Sequence, residues 1–438
     1  MVEAVGQAPK VADAVAIGVE ERVDVNAVDD GVFVPEIQHR ASCGRDFDQR
    51  ARGRSSSTIY GVPMDVGCRG STLAMVAGLV QFRQLAAAGT LRKTLVGSLM
   101  PKVAVITGAG AGAGRAVALE FARNGYDVGL LARSRERLQD LAAEIEATGR
   151  RAVAVPTDVA DAAAVDEAAS RVETELGPID TWVNVAMATV FSPVADLTAE
   201  EVRRATDVTY HGQVHGMLSA LKRMRRHGRG TIVNIGSALG YRSVPLQAPY
   251  CAAKAAIRAF SDSLRSEIIH DGLDIRVVVC QLPAVNTPQF DWSLNKTPWR
   301  AQPVPPIFQP ETVARAIFEA AESGTREAWI GHSSIRAILG NMVAPGLLDR
   351  FLARKGYSGQ LTKEPRNPDA PANLFAPAPG HSSARGRFSS RASNRRLLVL
   401  TQSDRTAIKL GLATIGALGL AVILKTLRRS PADRKRLR

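Results

Sequence analysis

Tyr250 and Lys254, in the run Tyr250-Cys251-Ala252-Ala253-Lys254, stand four residues apart, a spacing that puts a phenol and an ammonium on one helix face. A neighbouring cation favours phenolate, so the pair predicts a phenol whose pKa is drawn down from about 10 toward the working range. Such a group gives a proton to a carbonyl oxygen during reduction or takes one from an alcohol during oxidation. Ser237, just after the run Asn234-Ile235-Gly236, is placed to donate a hydrogen bond to the same oxygen. Tyr-x-x-x-Lys alone recurs by chance, and its weight here comes from what lies upstream.

Thr107-Gly108-Ala109-Gly110-Ala111-Gly112-Ala113-Gly114 follows a short apolar run and opens a helical one. In that setting the backbone comes close to a pyrophosphate, and the helix N-terminus offers it free N–H groups and positive dipole. No Lys-Ser/Thr follows, which disfavours a triphosphate-binding loop. Where a dinucleotide fold carries an acid for the ribose 2′-hydroxyl, this chain reads Leu131-Ala132-Arg133-Ser134. With no acid to repel it, a 2′-phosphate could be clamped by Arg133, so NADP(H) is favoured over NAD. A solvated arginine at a helix start is the plainer alternative.

The elements that would position these groups are legible from residue 102 onward. Short β-branched runs at residues 103–106, 128–131, 153–155, 181–183, 231–233, 275–279 and 328–330 alternate with Ala/Leu/Glu/Arg stretches of helical length. That alternation predicts an α/β fold with a Rossmann-like, doubly wound parallel sheet of about seven strands.

With those motifs at those offsets, residues 101–331 resemble a short-chain dehydrogenase/reductase. The family's Thr-Gly-x-x-x-Gly-x-Gly matches Thr107, Gly108, Gly112 and Gly114; its adenine-side Asp matches Asp158, followed by Val159; its Ser, Tyr and Lys match Ser237, Tyr250 and Lys254. The resemblance implies that Lys254 also holds the nicotinamide ribose, and that Ser134, Pro283 and Thr287 belong to the cofactor site. It further implies a homo-oligomer joined through the fourth and fifth helices. Two departures stand out. The family's Asn-Asn-Ala-Gly reads Asn184-Val185-Ala186-Met187, keeping Asn184 and Ala186, and its helix-four Asn, which supports a proton path to the lysine, is Thr209. Thr209 therefore enters the catalytic set with its relay role in question. These departures motivate a second reading, a dinucleotide-binding regulatory or scaffold protein with little turnover, against which the retained Ser237, Tyr250 and Lys254 argue.

Residues 288–308 carry Phe290, Trp292, Trp299, Pro303, Pro305, Pro306 and Phe308 in a chain only 5% aromatic. They read either as walls of a pocket for an apolar carbonyl or alcohol or as a cover for the sheet edge. His211-Gly212-Gln213-Val214-His215 has ligand-like spacing but lacks the Glu of a metalloprotease, so no metal is expected.

Of the formal charge of +14, residues 381–438 carry +12, from 14 Lys/Arg against 2 Asp, which leaves the body almost neutral. Ile408 to Leu424 carries one charge, Lys409, in an otherwise largely apolar run and spans roughly 25 Å as a helix, with Lys425, Arg428, Arg429 and Arg434 just beyond. This predicts a single membrane anchor with its basic end, and the catalytic domain, on the cytoplasmic side, the alternative being a soluble helix. Nucleic acid is not expected, because no aromatic residues interleave these charges. The predicted organisation is thus an N-terminal extension, 1–99, disordered or lying upstream of a true start at Met100; a catalytic domain, 100–345; a flexible Pro/Gly/Ser/Arg linker, 346–403; and the anchor with its tail, 404–438.

Overall fold

Val103 to Thr107 is buried along its whole length, as a strand is when both faces of its sheet are covered. The structure, a computed structural model, describes residues 101–380 and 382–408, together with two short strands nearer the N-terminus. The buried run is β1 (Val103–Thr107), followed by α1 (Gly112–Arg123), β2 (Asp127–Ala132), α2 (Arg135–Glu146), β3 (Ala152–Pro156), α3 (Ala162–Leu176) and β4 (Ile179–Asn184). Then come α4 (Ala199–Thr206), a π-helical turn (Asp207–His211), α5 (Gly212–His227), β5 (Arg229–Ser237), α6 (Ala248–His270) and β6 (Asp274–Leu282). The series continues through α7 (Pro310–Ser323), β7 (Glu327–Ile330), α8 (His332–Val343), α9 (Pro345–Gln360) and β8 (Val399–Leu400).

The sheet order is β8-β7-β6-β5-β4-β1-β2-β3, parallel except for β8, which runs antiparallel to β7. One face packs on α1, α2 and α7 through Phe121, Leu138, Ile145 and Ile317; the other packs on α3, α5 and α6 around Trp182 with Val172, Met217 and Ile268. The order reverses between β1 and β4, whose registers pair Thr107 with Asn184. A crevice opens there at the carboxyl ends of the strands, where ligands bind in such sheets. Local signals set the helix starts: Asp161 accepts from the N–H groups of Ala163 and Ala164, and Thr198 and Glu201 form a reciprocal capping box.

The expected flexible linker is corrected over its described residues. α9 runs into a strand, Leu361–Pro365, paired antiparallel with Trp299–Ala301, and Ala392–Ser393 joins Ile307–Phe308. Leu374, Ala378, Phe388 and Leu397 are buried, so the segment carries enough apolar contact to hold it against the body despite its proline and glycine. Catalytic domain and linker are one structure.

Arg405 closes this C-terminal part. Its guanidinium lies 3.0 Å from the Glu327 carboxylate and 4.2 Å from the centre of the Trp329 ring. Tyr241 and Gln281 also donate to Glu327. Arg405→Ala leaves that buried carboxylate without its cation, so a loss of roughly 3 kcal/mol is expected in urea unfolding. An unchanged midpoint would contradict the pairing.

Ser57–Ile59 and Val62–Met64 pair antiparallel within a separate unit, Met1–Arg83. The rest of the first hundred residues, and with it the question of a start at Met100, lies outside the described residues. So does the expected anchor from Lys409 onward. Among the described residues, no helix is long and apolar enough to cross a membrane.

Candidate active site

At the mouth of β1 the chain must turn within contact distance of the segment that follows β4. Gly108 has φ +70°, and a Cβ there would stand 2.7 Å from the Ala186 Cα, so only glycine fits without strain. The Thr107 hydroxyl accepts from the N–H groups of Val185 and Ala186 at 3.0 and 3.2 Å, fastening the two strand ends together. Gly108, Gly112 and Gly114 form the floor of a cleft that Arg133, Ser134, Asp158, Val159, Ala186 and Thr287 also line. Most of the residues expected to hold a dinucleotide are thereby brought together, while Tyr250, Lys254 and Pro283 line an adjoining cavity.

Thr107 and Asn184 do not face the cleft. Asn184 is fully buried, accepting from the Trp182 indole at 2.8 Å and donating to Asn234 at 2.9 Å, so it braces the sheet instead of touching a ligand. Arg133 lines the cleft, but its fork donates to the backbone carbonyls of Asn373, Leu374 and Phe375, a use invisible without the fold. Ser134 accepts from the Arg137 N–H as the cap of α2. Asp158 forms an ion pair with Arg204 and accepts from the Ala160 N–H at 3.0 Å. Arg137, which no motif marked, also lines the cleft, its guanidinium stacked 4.7 Å from the ring centre of Trp292, a member of the aromatic run expected around the substrate.

Thr209 sits in the π-helical turn, fully buried, its hydroxyl accepting from the Ala188 N–H at 2.9 Å and donating to the Ala188 carbonyl at 2.8 Å. A side chain so committed positions the loop after β4. The two histidines are also occupied, His211 with Asp207 and His215 with the Val159 carbonyl.

Ser237 ends β5, and Tyr250 and Lys254 lie on the first turns of α6; all three line a second cavity, of about 560 Å³, that adjoins the glycine cleft. Lys254 Nζ lies 5.5 Å from the centre of the Tyr250 ring and donates to the Ile235 carbonyl at 2.6 Å. Gln213 donates to the same carbonyl at 3.1 Å, an anchor the sequence did not reveal. The expected low phenol pKa is corrected: burial pushes Tyr250 up to about 12, outweighing the lowering by the Ser237 hydroxyl. Burial also brings the Lys254 ammonium down from 10.5 to about 7. The same desolvation opposes both charges, and the lysine yields its proton more readily instead of creating a phenolate.

This depressed lysine has a consequence for stability. Between pH 7 and 10.5 the folded chain binds fewer protons at Lys254 than the unfolded chain does, so stability rises with pH across that window, and this contribution is wholly lost below 7. Lys254→Met removes the effect. The mutant's melting temperature, relative to the parent, is expected to be highest near pH 7 and to fall toward pH 10. A difference flat across the window would contradict the burial of a titrating ammonium.

The second cavity is walled by Leu239, Val244, Leu282, Val285, Phe290 and Leu352, among others. Of the expected aromatic and proline wall, Phe290, Pro303, Pro305 and Pro306 line it, as do Pro283 and Thr287. Trp292 belongs to the glycine cleft, Trp299 lies elsewhere and is 42% exposed, and Phe308 is buried in the core. α8 and α9 supply part of the wall, through Ala337, Leu348 and Phe351.

With this geometry in view, a family model described as short chain dehydrogenase matches residues 102–297. The uncharacterized oxidoreductase YxnA of Bacillus subtilis is 31% identical over 281 residues, spanning 63% of this chain and 78% of its own. The 2,3-dihydro-2,3-dihydroxybenzoate dehydrogenase of the same organism is 34% identical over 193 residues, 44% of this chain and 73% of its own. A solved alcohol dehydrogenase from the archaeon Thermococcus sibiricus, complexed with 5-hydroxy-NADP, is 30% identical with a TM-score of 0.43, covering 49% of this chain and 88% of its own.

Proposed function

Because the chain belongs to the short-chain dehydrogenase family and is thus an oxidoreductase acting on alcohol and carbonyl groups, we propose that it uses NADP(H) and works on an apolar substrate. The observation that carries this reading is the meeting of Ser237, Tyr250 and Lys254 on one cavity that opens into the glycine cleft. Arg133 and Arg137, with no acid at the end of β2, support the phosphorylated cofactor. A nicotinamide dinucleotide bound in the cleft would supply or accept the hydride. Tyr250, protonated at neutral pH, gives its hydroxyl proton to the carbonyl oxygen as that oxygen gains charge, and Ser237 donates a hydrogen bond to it. Lys254, with its pKa near neutrality, then hands a proton back to the phenolate that remains.

The apolar lining supports a hydrophobic carbonyl compound or alcohol. The test is oxidation of NADPH and of NADH against a panel of aldehydes, ketones and quinones. Turnover with NADPH on apolar members is expected; tight cofactor binding without turnover on any substrate would replace this reading with that of a regulatory protein.

Membrane association is part of the same proposal, resting on the apolar run Ile408 to Leu424 and the cations after it. Carbonate extraction of membranes from expressing cells is expected to leave the full chain in the pellet, and release to the supernatant would contradict it.

A further inference from the structure

Residues 373–380, with Ser382 and Ser383 beyond them, lie along the outer side of the glycine cleft, and backbone carbonyls among them meet the groups that a dinucleotide's phosphates would otherwise attract. Arg133 Nη1 donates to Phe375 at 3.1 Å, Arg204 Nε to Leu374 at 3.1 Å, Arg137 Nε to Gly380 at 3.2 Å, and the Gly112 N–H to Ser383 at 2.8 Å. The strap is pinned at both ends. The Asn373 N–H donates to the Trp292 carbonyl at 2.8 Å, the Gly386 N–H to the Asn286 carbonyl at 3.2 Å, and Leu374 is fully buried. Beneath it the cleft persists as a cavity of about 200 Å³, with Gly108–Gly114, Asp158 and Val159 on one side and Asn373, Pro377 and Ala378 on the other. A segment serving only to block the cleft would fill that space.

We infer that this strap, which lies outside the family-matched residues 102–297, is the outer wall of the adenosine half of the cofactor site, closing over a bound dinucleotide and slowing its exchange. The inference rests on the dinucleotide reading above. Because the strap is held mainly through carbonyls that compete poorly with phosphate for guanidinium, opening costs hydrogen bonds that the entering ligand replaces. Its proline and alanine faces then exclude water from the adenosine side. Cofactor release must wait for the strap to lift.

The test compares the full chain with two variants, one with residues 373–380 replaced by a Gly/Ser segment of equal length and the other Leu374→Ala. NADPH release is followed by stopped-flow fluorescence on displacement with excess NADP+, and circular dichroism confirms the fold. Release is expected to be at least about tenfold faster in the replacement and intermediate in Leu374→Ala, and saturating NADPH is expected to slow proteolysis within the strap of the parent. Unchanged or slower release, tighter binding by the replacement, or faster strap proteolysis with NADPH would overturn the inference while leaving the dinucleotide reading intact. Failure of the parent itself to bind any nicotinamide dinucleotide would overturn both.

Discussion

Tyr250→Phe is expected to fold, to bind NADPH as the parent does, and to reduce carbonyl substrates about 10²–10⁴-fold more slowly, the range associated with loss of a positioned general acid. The substitution removes one oxygen and keeps the ring, so packing around α6 changes little. The hydroxyl it removes faces the cavity that Ser237 and Lys254 share. Among the described residues no other phenol lines that cavity. Steady-state kinetics beside a fluorescence titration separates the two effects. A loss below about tenfold in kcat, with binding intact, would mean that another donor serves the reaction.

Gly114→Ala is expected to be nearly as damaging by a different route. A Cβ at Gly114 would stand 2.1 Å from the Gly108 carbonyl oxygen and 2.6 Å from its carbon, both backbone atoms that cannot rotate away. Either the turn after β1 opens or α1 moves off the sheet, at a cost of about 1–3 kcal/mol of stability. Both shifts pull the floor of the cleft out of shape, and a loss of roughly 2.7 kcal/mol in binding corresponds to about a hundredfold weaker NADPH affinity. Gly346 in α9 has nothing within 4 Å of its would-be Cβ, so Gly346→Ala serves as the neutral control. Parental affinity in Gly114→Ala would show that the glycine turn does not bear on the cofactor.

The strands, the crevice and the triad of Ser237, Tyr250 and Lys254 were legible because each leaves a local mark: a β-branched run, a glycine at a fixed offset, a spacing of four on a helix. What stayed hidden depends on residues far apart in the chain. Asn184 has the identity of a ligand residue, yet its partners Trp182 and Asn234 absorb it into the sheet, and only the register of β4 against β5 reveals that. Arg133 signals an anion, while its carbonyl acceptors come from residues some 240 positions later. The Pro/Gly/Ser/Arg composition within residues 346–403 predicts a linker because composition counts side chains one by one. It misses that Leu374 and Phe388 fall where the body can bury them. The phenol pKa was misjudged for a related reason: spacing brings a cation near, whereas burial, which opposes both charges, is set by the whole fold.

The most direct measurement is a crystal structure of the chain grown with NADP+. The account predicts the dinucleotide lying between the glycine turn and residues 373–380, with its nicotinamide in the cavity that Ser237, Tyr250 and Lys254 line. A dinucleotide bound elsewhere, or side chains of Tyr250 and Lys254 turned away from its ring, would contradict it.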